Sequence, residues 1–179
     1  MGTWPESRIW APPMLSVHSP ECLGSHLAAI EEGGSVNTGY PAANRAIFLP
    51  FTLWRTEIVT KIVIVPGATP SGNVDVGLYD IAGTRLVSSG STVKGAAATP
   101  QALDIADTIL GPGLFYMAIA QDGTTQLLAQ SPAAVLSLQG WGMAQQATAF
   151  PLPATATFAT ISTAFIPTMG ALLAPRTVV

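Results

Sequence analysis

The histidines and the single cysteine of the chain, His18, Cys22 and His26, are spaced by four residues. On one continuous helix this spacing would bring two imidazoles and a thiolate together, a set that suits zinc. Pro20 places the predicted helix start after His18, however, and only Glu21 is near enough to act as a fourth ligand. The pattern therefore favours an ordinary helix with a half-buried Cys22, and we expect neither a metal nor a cofactor.

Carboxylates in the middle of the chain are candidates for glycosidase or calcium chemistry: Asp75, Asp80, Asp104, Asp107 and Asp122. A glycosidase needs two carboxyl groups ~5–9.5 Å apart, and a calcium loop needs ligands close together in sequence. Asp80 and Asp122 instead stand where turns favour Asp. The chain has no G-x-S-x-G motif for a nucleophile and no glycine-rich phosphate loop. The sequence predicts no catalytic residue and a protein that is not an enzyme.

Charged residues make up only 9% of the 179 residues, against ~25% in ordinary globular domains. Residues 123–175 contain no Asp, Glu, Lys or Arg. Because an exposed surface normally carries charge, this stretch predicts surface covered by partners. The net charge is -3 and the basic residues are scattered, which argues against nucleic-acid binding.

The N-terminus lacks a basic region followed by an apolar one, so the sequence predicts no signal peptide. The longest apolar runs, such as residues 62–65, are far shorter than the ~20 residues that span a bilayer. One cysteine allows no internal disulfide, so packing or oligomerisation must supply the stability. We expect a soluble protein that is made in the cytoplasm.

Three stretches of the sequence differ in composition and in predicted secondary structure. Residues 1–45 read as an irregular arm with a short helix at about 20–32, which starts at Pro20 and ends at Gly33. Residues 46–130 read as the main strands of a sandwich. Residues 131–179 read as an uncharged segment with a short helix through Val135 and Leu138, and a final strand within 147–165 that completes the sandwich or packs on a neighbour.

The strand pattern of residues 46–130 carries the fold prediction. Pro50 interrupts an apolar run and suggests an edge or bulged strand. Residues 57–65 are mostly β-branched, as in a strand buried on both faces. Residues 74–79 alternate and turn through Asp80 and Gly83 into 85–88, which predicts a hairpin. Short strands at even spacing indicate an all-β fold, an antiparallel β-sandwich or jelly roll at about 46–165 with extended N- and C-terminal arms.

Large apolar residues in the arms are the predicted contacts between subunits, because an arm cannot bury them alone. These candidate interface residues are Trp4, Trp10, Phe150, Phe158, Phe165 and Leu172. Trp54 and Tyr79 are weaker candidates for stacking on a sugar ring, as in carbohydrate-binding sandwiches.

Five segments resemble virion structural proteins of tailed bacteriophages: 44–51, 72–80, 83–91, 110–118 and 150–155. The resemblance covers roughly residues 40–165 and consists of strand-and-turn patterns. Proteins of that kind decorate heads or lie in necks, tails and fibres, and many have jelly-roll domains that form trimers. The resemblance implies a homo-oligomer, a trimer or larger, located in the virion and bound to other virion proteins such as the major capsid or tail proteins. It supplies no catalytic residues.

The alternative function is a host-surface carbohydrate-binding module of a phage tail or fibre, presenting Trp54 or Tyr79 to a glycan. A polysaccharide depolymerase would need a converging carboxylate pair, for which Asp75 and Asp104 are the candidates.

Overall fold

The computed structural model of the chain describes residues 16–19, 22–24, 36–130 and 135–174. Within these ranges there are fifteen strands and one helix, α1 (Val135–Gly140). In chain order the strands are β1 (Ser16–Ser19), β2 (Cys22–Gly24), β3 (Val36–Gly39), β4 (Ala46–Leu53), β5 (Glu57–Ile64), β6 (Asn73–Asp80), β7 (Arg85–Ser88), β8 (Thr92–Val93), β9 (Gln101–Leu110), β10 (Gly113–Gln121), β11 (Gln126–Gln130), β12 (Ala144–Gln146), β13 (Ala159–Thr160), β14 (Ile166–Pro167) and β15 (Met169–Leu173).

The strands form two large sheets and a small one, and all their pairings are antiparallel. The first sheet has the order β1-β2-β15-β5-β9. The second sheet has the order β13-β12-β4-β10-β6-β7, with β8 beside β6. The small sheet has the order β14-β11-β3.

Eight of these strands have the order of a jelly roll. In the first sheet they run β2-β15-β5-β9, and in the second they run β4-β10-β6-β7. The chain crosses between the sheets at almost every connection, and β15, the last strand of the described chain, lies between β2 and β5. This arrangement is the pair of interlocked Greek keys that defines the jelly roll. The predicted all-β sandwich is confirmed.

The main core lies between the two large sheets. One continuous cluster joins Val59, Ile62 and Leu103 of the first sheet to Ile47 and Ile119 of the second. Alternation along each strand produces it, since every second side chain points to the same face. The small sheet adds its own apolar side chains to the same cluster at one end of the sandwich.

The predicted hairpin is present and shows why this segment turns where it does. β6 pairs with β7, with Leu78 opposite Val87. The Asp80 carboxylate accepts a hydrogen bond from the Thr84 amide at 2.8 Å, and the Gly83 amide donates to the Asp80 carbonyl at 3.1 Å. Gly83 has a φ of +87°, a conformation that favours glycine.

Two strand predictions need correction. β5 is buried on one face only, because Ile58 and its neighbours on the outer face remain partly exposed. Pro50 lies inside the second sheet, paired with Tyr116 of β10. On its other side β12 pairs with β4 only from Ala46 to Phe48, so Pro50 is at an edge on that side alone.

Helix and arm predictions also differ from the structure in part. Cys22–Gly24 form β2, paired with β15, so the helix predicted at about 20–32 is wrong for these residues, and the remainder lies outside the described residues. Pairing along β15 outweighs the local helical pattern there. The short helix predicted after Pro132 is confirmed as α1. The last strand is β15 rather than a strand within 147–165, where only β13 forms.

Candidate contact surface

A segment between β12 and β13, residues 147–158, lies across the outer face of the second sheet; we call it the strap. Its Ala149, Leu152 and Ala156 are buried against outward side chains of the second sheet and form a second apolar cluster with Ala46, Phe48, Tyr79, Ala118 and Ala120. The small alanines let the strap approach the sheet closely. Much of the uncharged sequence is therefore covered by the chain itself, a correction to the expectation that neighbours cover it.

Backbone hydrogen bonds hold the strap to the sheet. The Arg85 amide donates to the Ala154 carbonyl at 2.9 Å, and the Ala156 amide donates to the Gly83 carbonyl at 2.7 Å. At the other end of the strap, the Ala149 amide donates to the Asn44 carbonyl at 2.6 Å. The strap therefore pairs with the backbone at the start of β7, where that edge would otherwise be open to another chain.

Tyr79 is part of this packing and is fully buried. Its hydroxyl donates to the Pro153 carbonyl at 2.6 Å, and its ring packs edge-on against Phe48 at 5.3 Å between centroids. Burial raises the pKa of its hydroxyl. The proposed sugar-stacking role of Tyr79 is wrong in this conformation, because the strap covers the ring.

Asp75 anchors the middle of the strap. Its carboxylate accepts hydrogen bonds from the Leu152 amide at 2.9 Å and from the Ser89 hydroxyl at 3.3 Å. Burial raises the pKa of Asp75, while these hydrogen bonds and the nearby Arg85 lower it. The Arg85 guanidinium donates to the Leu152 carbonyl. The Asp75 carboxylate thus binds the amide of Leu152, and the Arg85 guanidinium binds the carbonyl of the same residue.

The proposed carboxylate pair of a depolymerase is not supported by this geometry. Asp75 is buried beneath the strap on the second sheet, whereas Asp104 is on the first sheet, largely exposed and paired with Lys61. Asp80 caps the hairpin turn, and both oxygens of Asp122 lie 2.9 Å from the Asn73 amide. Each of these carboxylates has a structural partner.

The candidate interface residues fall into three groups. Trp4 and Trp10 lie outside the described residues. Phe165 is 3% exposed and packs edge-on against Tyr40 at 5.4 Å, so it is a core residue and its proposed interface role is wrong in this conformation.

Phe150, Phe158 and Leu172 are half-buried. Phe158 contacts Phe48 at 5.0 Å and Tyr116 at 4.5 Å between ring centroids, and Phe150 packs on the same cluster. Leu172 lies on β15 opposite Lys61. These three side chains retain a partly exposed surface, and their interface role stays a prediction.

A buried lysine joins two loops at the end of the sandwich that holds the small sheet. The Lys94 ammonium donates to the Ser71 carbonyl at 2.8 Å and to the Thr125 hydroxyl. Burial lowers the pKa of Lys94, and the charge of Asp122 raises it. Beside it the Gln121 amide nitrogen is buried without a partner in the described part of the chain. The hydrogen bonds of Lys94 are therefore within the chain, and they connect the segment after β8 to the segments before β6 and after β10.

The opposite end of the sandwich has a different surface. Three loops meet there, β4–β5, β6–β7 and β9–β10, because β4, β6 and β9 all finish at this end. We call this end the tip. It exposes large apolar side chains: Trp54 (88%), Ile81 (63%), Ile109 (70%), Leu114 (46%) and Ile58 (37%). Trp54, one of the sugar-stacking candidates, is thus on the surface as that role requires.

The remaining sequence candidates concern metal and membrane. His18 lies on β1 and Cys22 on β2, and His26 is outside the described residues. No group of His, Cys, Asp and Glu that could hold a metal ion is present among the described residues. None of the described helical residues forms a helix long and apolar enough to cross a membrane.

No family model, curated protein or solved structure matches the chain. The assignment of a function therefore rests on the geometry described above.

Sequence reasoning missed the anchors of the strap, Asp75 and Arg85. A signal was present, because Asp75, Gly77 and Tyr79 share one face of β6 by the period of two. A Cβ on Gly77 would lie 2.5 Å from the Val87 carbonyl oxygen and 3.2 Å from Leu152. A carboxylate, a glycine and a phenol on one face thus indicate a close covering segment.

Proposed function

We propose that the chain is a non-enzymatic structural protein, an oligomeric jelly-roll component that decorates or stabilises a bacteriophage particle at its head, neck or tail. The observation that carries this proposal is a contrast between two sets of side chains. Charged side chains inside the protein are hydrogen-bonded within the chain, whereas the tip exposes large apolar side chains. Asp75, Arg85 and Lys94 bond to backbone or side chains of their own chain. An exposed group of large apolar side chains is typical of a protein contact.

The fold and the sequence resemblance support the virion role without deciding it. Jelly rolls form the domains of many viral capsid proteins, and also lectin domains. Because one fold serves many functions, the argument has to rest on the surface. Trp4 and Trp10 add candidate contacts in the N-terminal arm, through which subunits would bind one another.

The test is the native mass of the purified chain by light scattering, for the full chain and for a chain lacking residues 1–15. This deletion leaves every described strand in place, since β1 begins at Ser16. We expect the full chain to have a mass several times 18.4 kDa, and the shortened chain to associate more weakly. A full chain that stays at 18.4 kDa at high concentration would contradict self-assembly.

A second candidate, a host glycan-binding module, is favoured by one observation: Trp54 is 88% exposed on a loop. An exposed indole can stack on a sugar ring. This candidate predicts saturable binding to host polysaccharide that is lost in Trp54→Ala and kept in Val93→Ala, whose side chain is 71% exposed at the other end of the sandwich. Absence of binding at millimolar sugar would exclude it.

A further inference from the structure

The loop between β4 and β5 exposes three side chains of different chemistry in succession. Trp54, Arg55 and Thr56 are all exposed, and Trp54, at 88%, is the most exposed large apolar residue of the described chain. The loop crosses the end of the sandwich, because β4 belongs to the second sheet and β5 to the first. An aromatic ring, a guanidinium and a hydroxyl are therefore available to solvent within one three-residue loop.

A second loop runs beside the first and has little side-chain volume. β4 pairs with β10 up to its last residue, and β5 pairs with β9 from its first residue. Loops 54–56 and 111–112 therefore cross side by side between the same two pairs of strands. The second loop consists of Gly111 and Pro112, both exposed. A Cβ on Gly111 would meet no heavy atom within 4 Å apart from its chain neighbours, so there is room for a ligand beside the larger side chains of the first loop.

A buried carboxylate holds the guanidinium of the first loop. The Arg55 Nε donates to Glu57 Oε1 at 2.7 Å, and the Glu57 side chain is 8% exposed whereas that of Arg55 is 57% exposed. This is the one hydrogen bond of Arg55 within the described residues, so its two Nη groups remain available to donate. An arginine that is oriented in advance loses less conformational freedom when it binds an acceptor.

The charges near this end are mixed in sign and favour an uncharged ligand. The guanidinium of the loop is offset by its carboxylate partner, and Lys61 pairs with Asp104 further along the first sheet. Asp80 and the exposed Asp107 are acidic, whereas Arg85 is basic and donates to the strap. An anion would meet a small excess of negative charge, and a cation would meet the free Nη groups of the loop.

A neutral sugar combines the features that this loop can bind. The C–H face of a pyranose ring stacks on an indole, and its hydroxyl oxygens accept hydrogen bonds from N–H donors. We infer that loop 54–56 binds a neutral sugar residue of a polysaccharide, with the ring stacked on Trp54, hydroxyl groups bonded to the Nη groups of Arg55, and Thr56 beside them. The inference rests on the second candidate function, for which it names the ligand class and the polar groups. It does not depend on self-assembly, although many copies on one particle would strengthen a weak single site by avidity.

The experiment titrates the full chain by calorimetry with two neutral polysaccharides, galactomannan and dextran, and with the acidic polygalacturonate. We expect saturable binding of a neutral polysaccharide that is abolished in Trp54→Ala. Binding should be about tenfold weaker in Arg55→Met, which keeps much of the side-chain length but loses the charged donors. The control is Val93→Ala, whose side chain is 71% exposed at the other end of the sandwich and whose replacement should leave binding unchanged. All three variants should keep the melting temperature of the wild type, because the replaced side chains are exposed.

The outcomes separate this inference from the function on which it rests. Binding that is lost in Trp54→Ala but unchanged in Arg55→Met would overturn the polar contacts and leave the glycan-binding function standing. Tighter binding of polygalacturonate than of the neutral polysaccharides would overturn the ligand class. Binding that is equal in Trp54→Ala and Val93→Ala would place the sugar elsewhere on the protein. Absence of binding to all three polysaccharides would overturn both the site and the second candidate function, and it would leave self-assembly standing.

Discussion

The outer faces of the two large sheets differ in what covers them. On the second sheet, the outward side chains beneath the strap are mostly aromatic or alanine, and Asp75 among them is hydrogen-bonded to the strap. On the β5 and β9 part of the first sheet, the outer face carries the Lys61–Asp104 ion pair and exposed Ala102 and Ala106. The charges on the first sheet thus pair with each other in contact with water, whereas Asp75 and Arg85 on the covered face are hydrogen-bonded to the backbone of the strap. An uncharged stretch indicates covered surface, but the cover can be intramolecular.

The largest expected effect comes from removing the aromatic centre beneath the strap. Phe48→Ala leaves a cavity under Phe158 and beside Tyr79, at a cost of about 3–5 kcal/mol in the free energy of unfolding. Ile109→Ala on the outer face of the first sheet should cost within about 0.5 kcal/mol. Denaturant unfolding at low protein concentration measures both. Equal losses of unfolding free energy in the two variants would mean that the strap does not bury the outer face of the second sheet.

A smaller effect is expected from the strap's anchor. Asp75→Ala leaves the buried Leu152 amide without its acceptor, which should cost about 1–3 kcal/mol. The matched change on the other face, Asp104→Ala, removes an exposed ion pair and should cost about 0–1 kcal/mol. Unfolding free energies of the two variants, measured side by side, decide the comparison. A larger cost for Asp104→Ala would reverse it.

Smaller again is the effect of one hydroxyl. Tyr79→Phe removes the hydrogen bond to the Pro153 carbonyl and should cost about 1 kcal/mol. Because this bond holds the strap locally, amide hydrogen exchange should speed up at Leu152 and Ala156 more than in β5. A uniform change in exchange across both sheets would show that the strap does not open on its own.

The pH dependence that Asp75 contributes should be the smallest of these effects. Burial raises the pKa of Asp75, so the folded chain holds this proton more tightly than the unfolded chain does. The resulting stabilisation is complete below the unfolded pKa of ~3.9 and is lost as pH rises through the folded pKa. The free energy of unfolding of wild type minus that of Asp75→Asn should therefore fall as pH rises across this window. A difference that is flat with pH would contradict the assignment.

Local patterns were enough to predict the main strands of residues 46–130 and their class. The alternation of β6, the turn chemistry of Asp80 and Gly83 and the helical pattern through Val135 and Leu138 are all local, and each predicted element is present. The strap could not be predicted in the same way. It is held largely through the backbone carbonyls of Leu152, Pro153 and Ala154, which any sequence would supply.

The two sugar-stacking candidates show the same limit. Period two places Tyr79 on the outer face of its sheet, but whether that face is open depends on a segment some seventy residues later in the chain. Trp54 needed no such information, because a loop residue at the end of two strands has no sheet neighbour to cover it. Contacts that are distant in sequence therefore decided which aromatic residue was available.

The position of β15 has a consequence for how the chain is made. Residues 22–24 pair with 170–172, so the middle of the first sheet cannot form until residue 172 has been synthesised. At ~5–20 residues per second, synthesis takes on the order of ten seconds, during which β5 has β9 but not β15 beside it. Folds dominated by such distant pairings fold slowly. Each nascent copy therefore exposes an unpaired edge of β5 to its neighbours on the same messenger before its own last strand arrives.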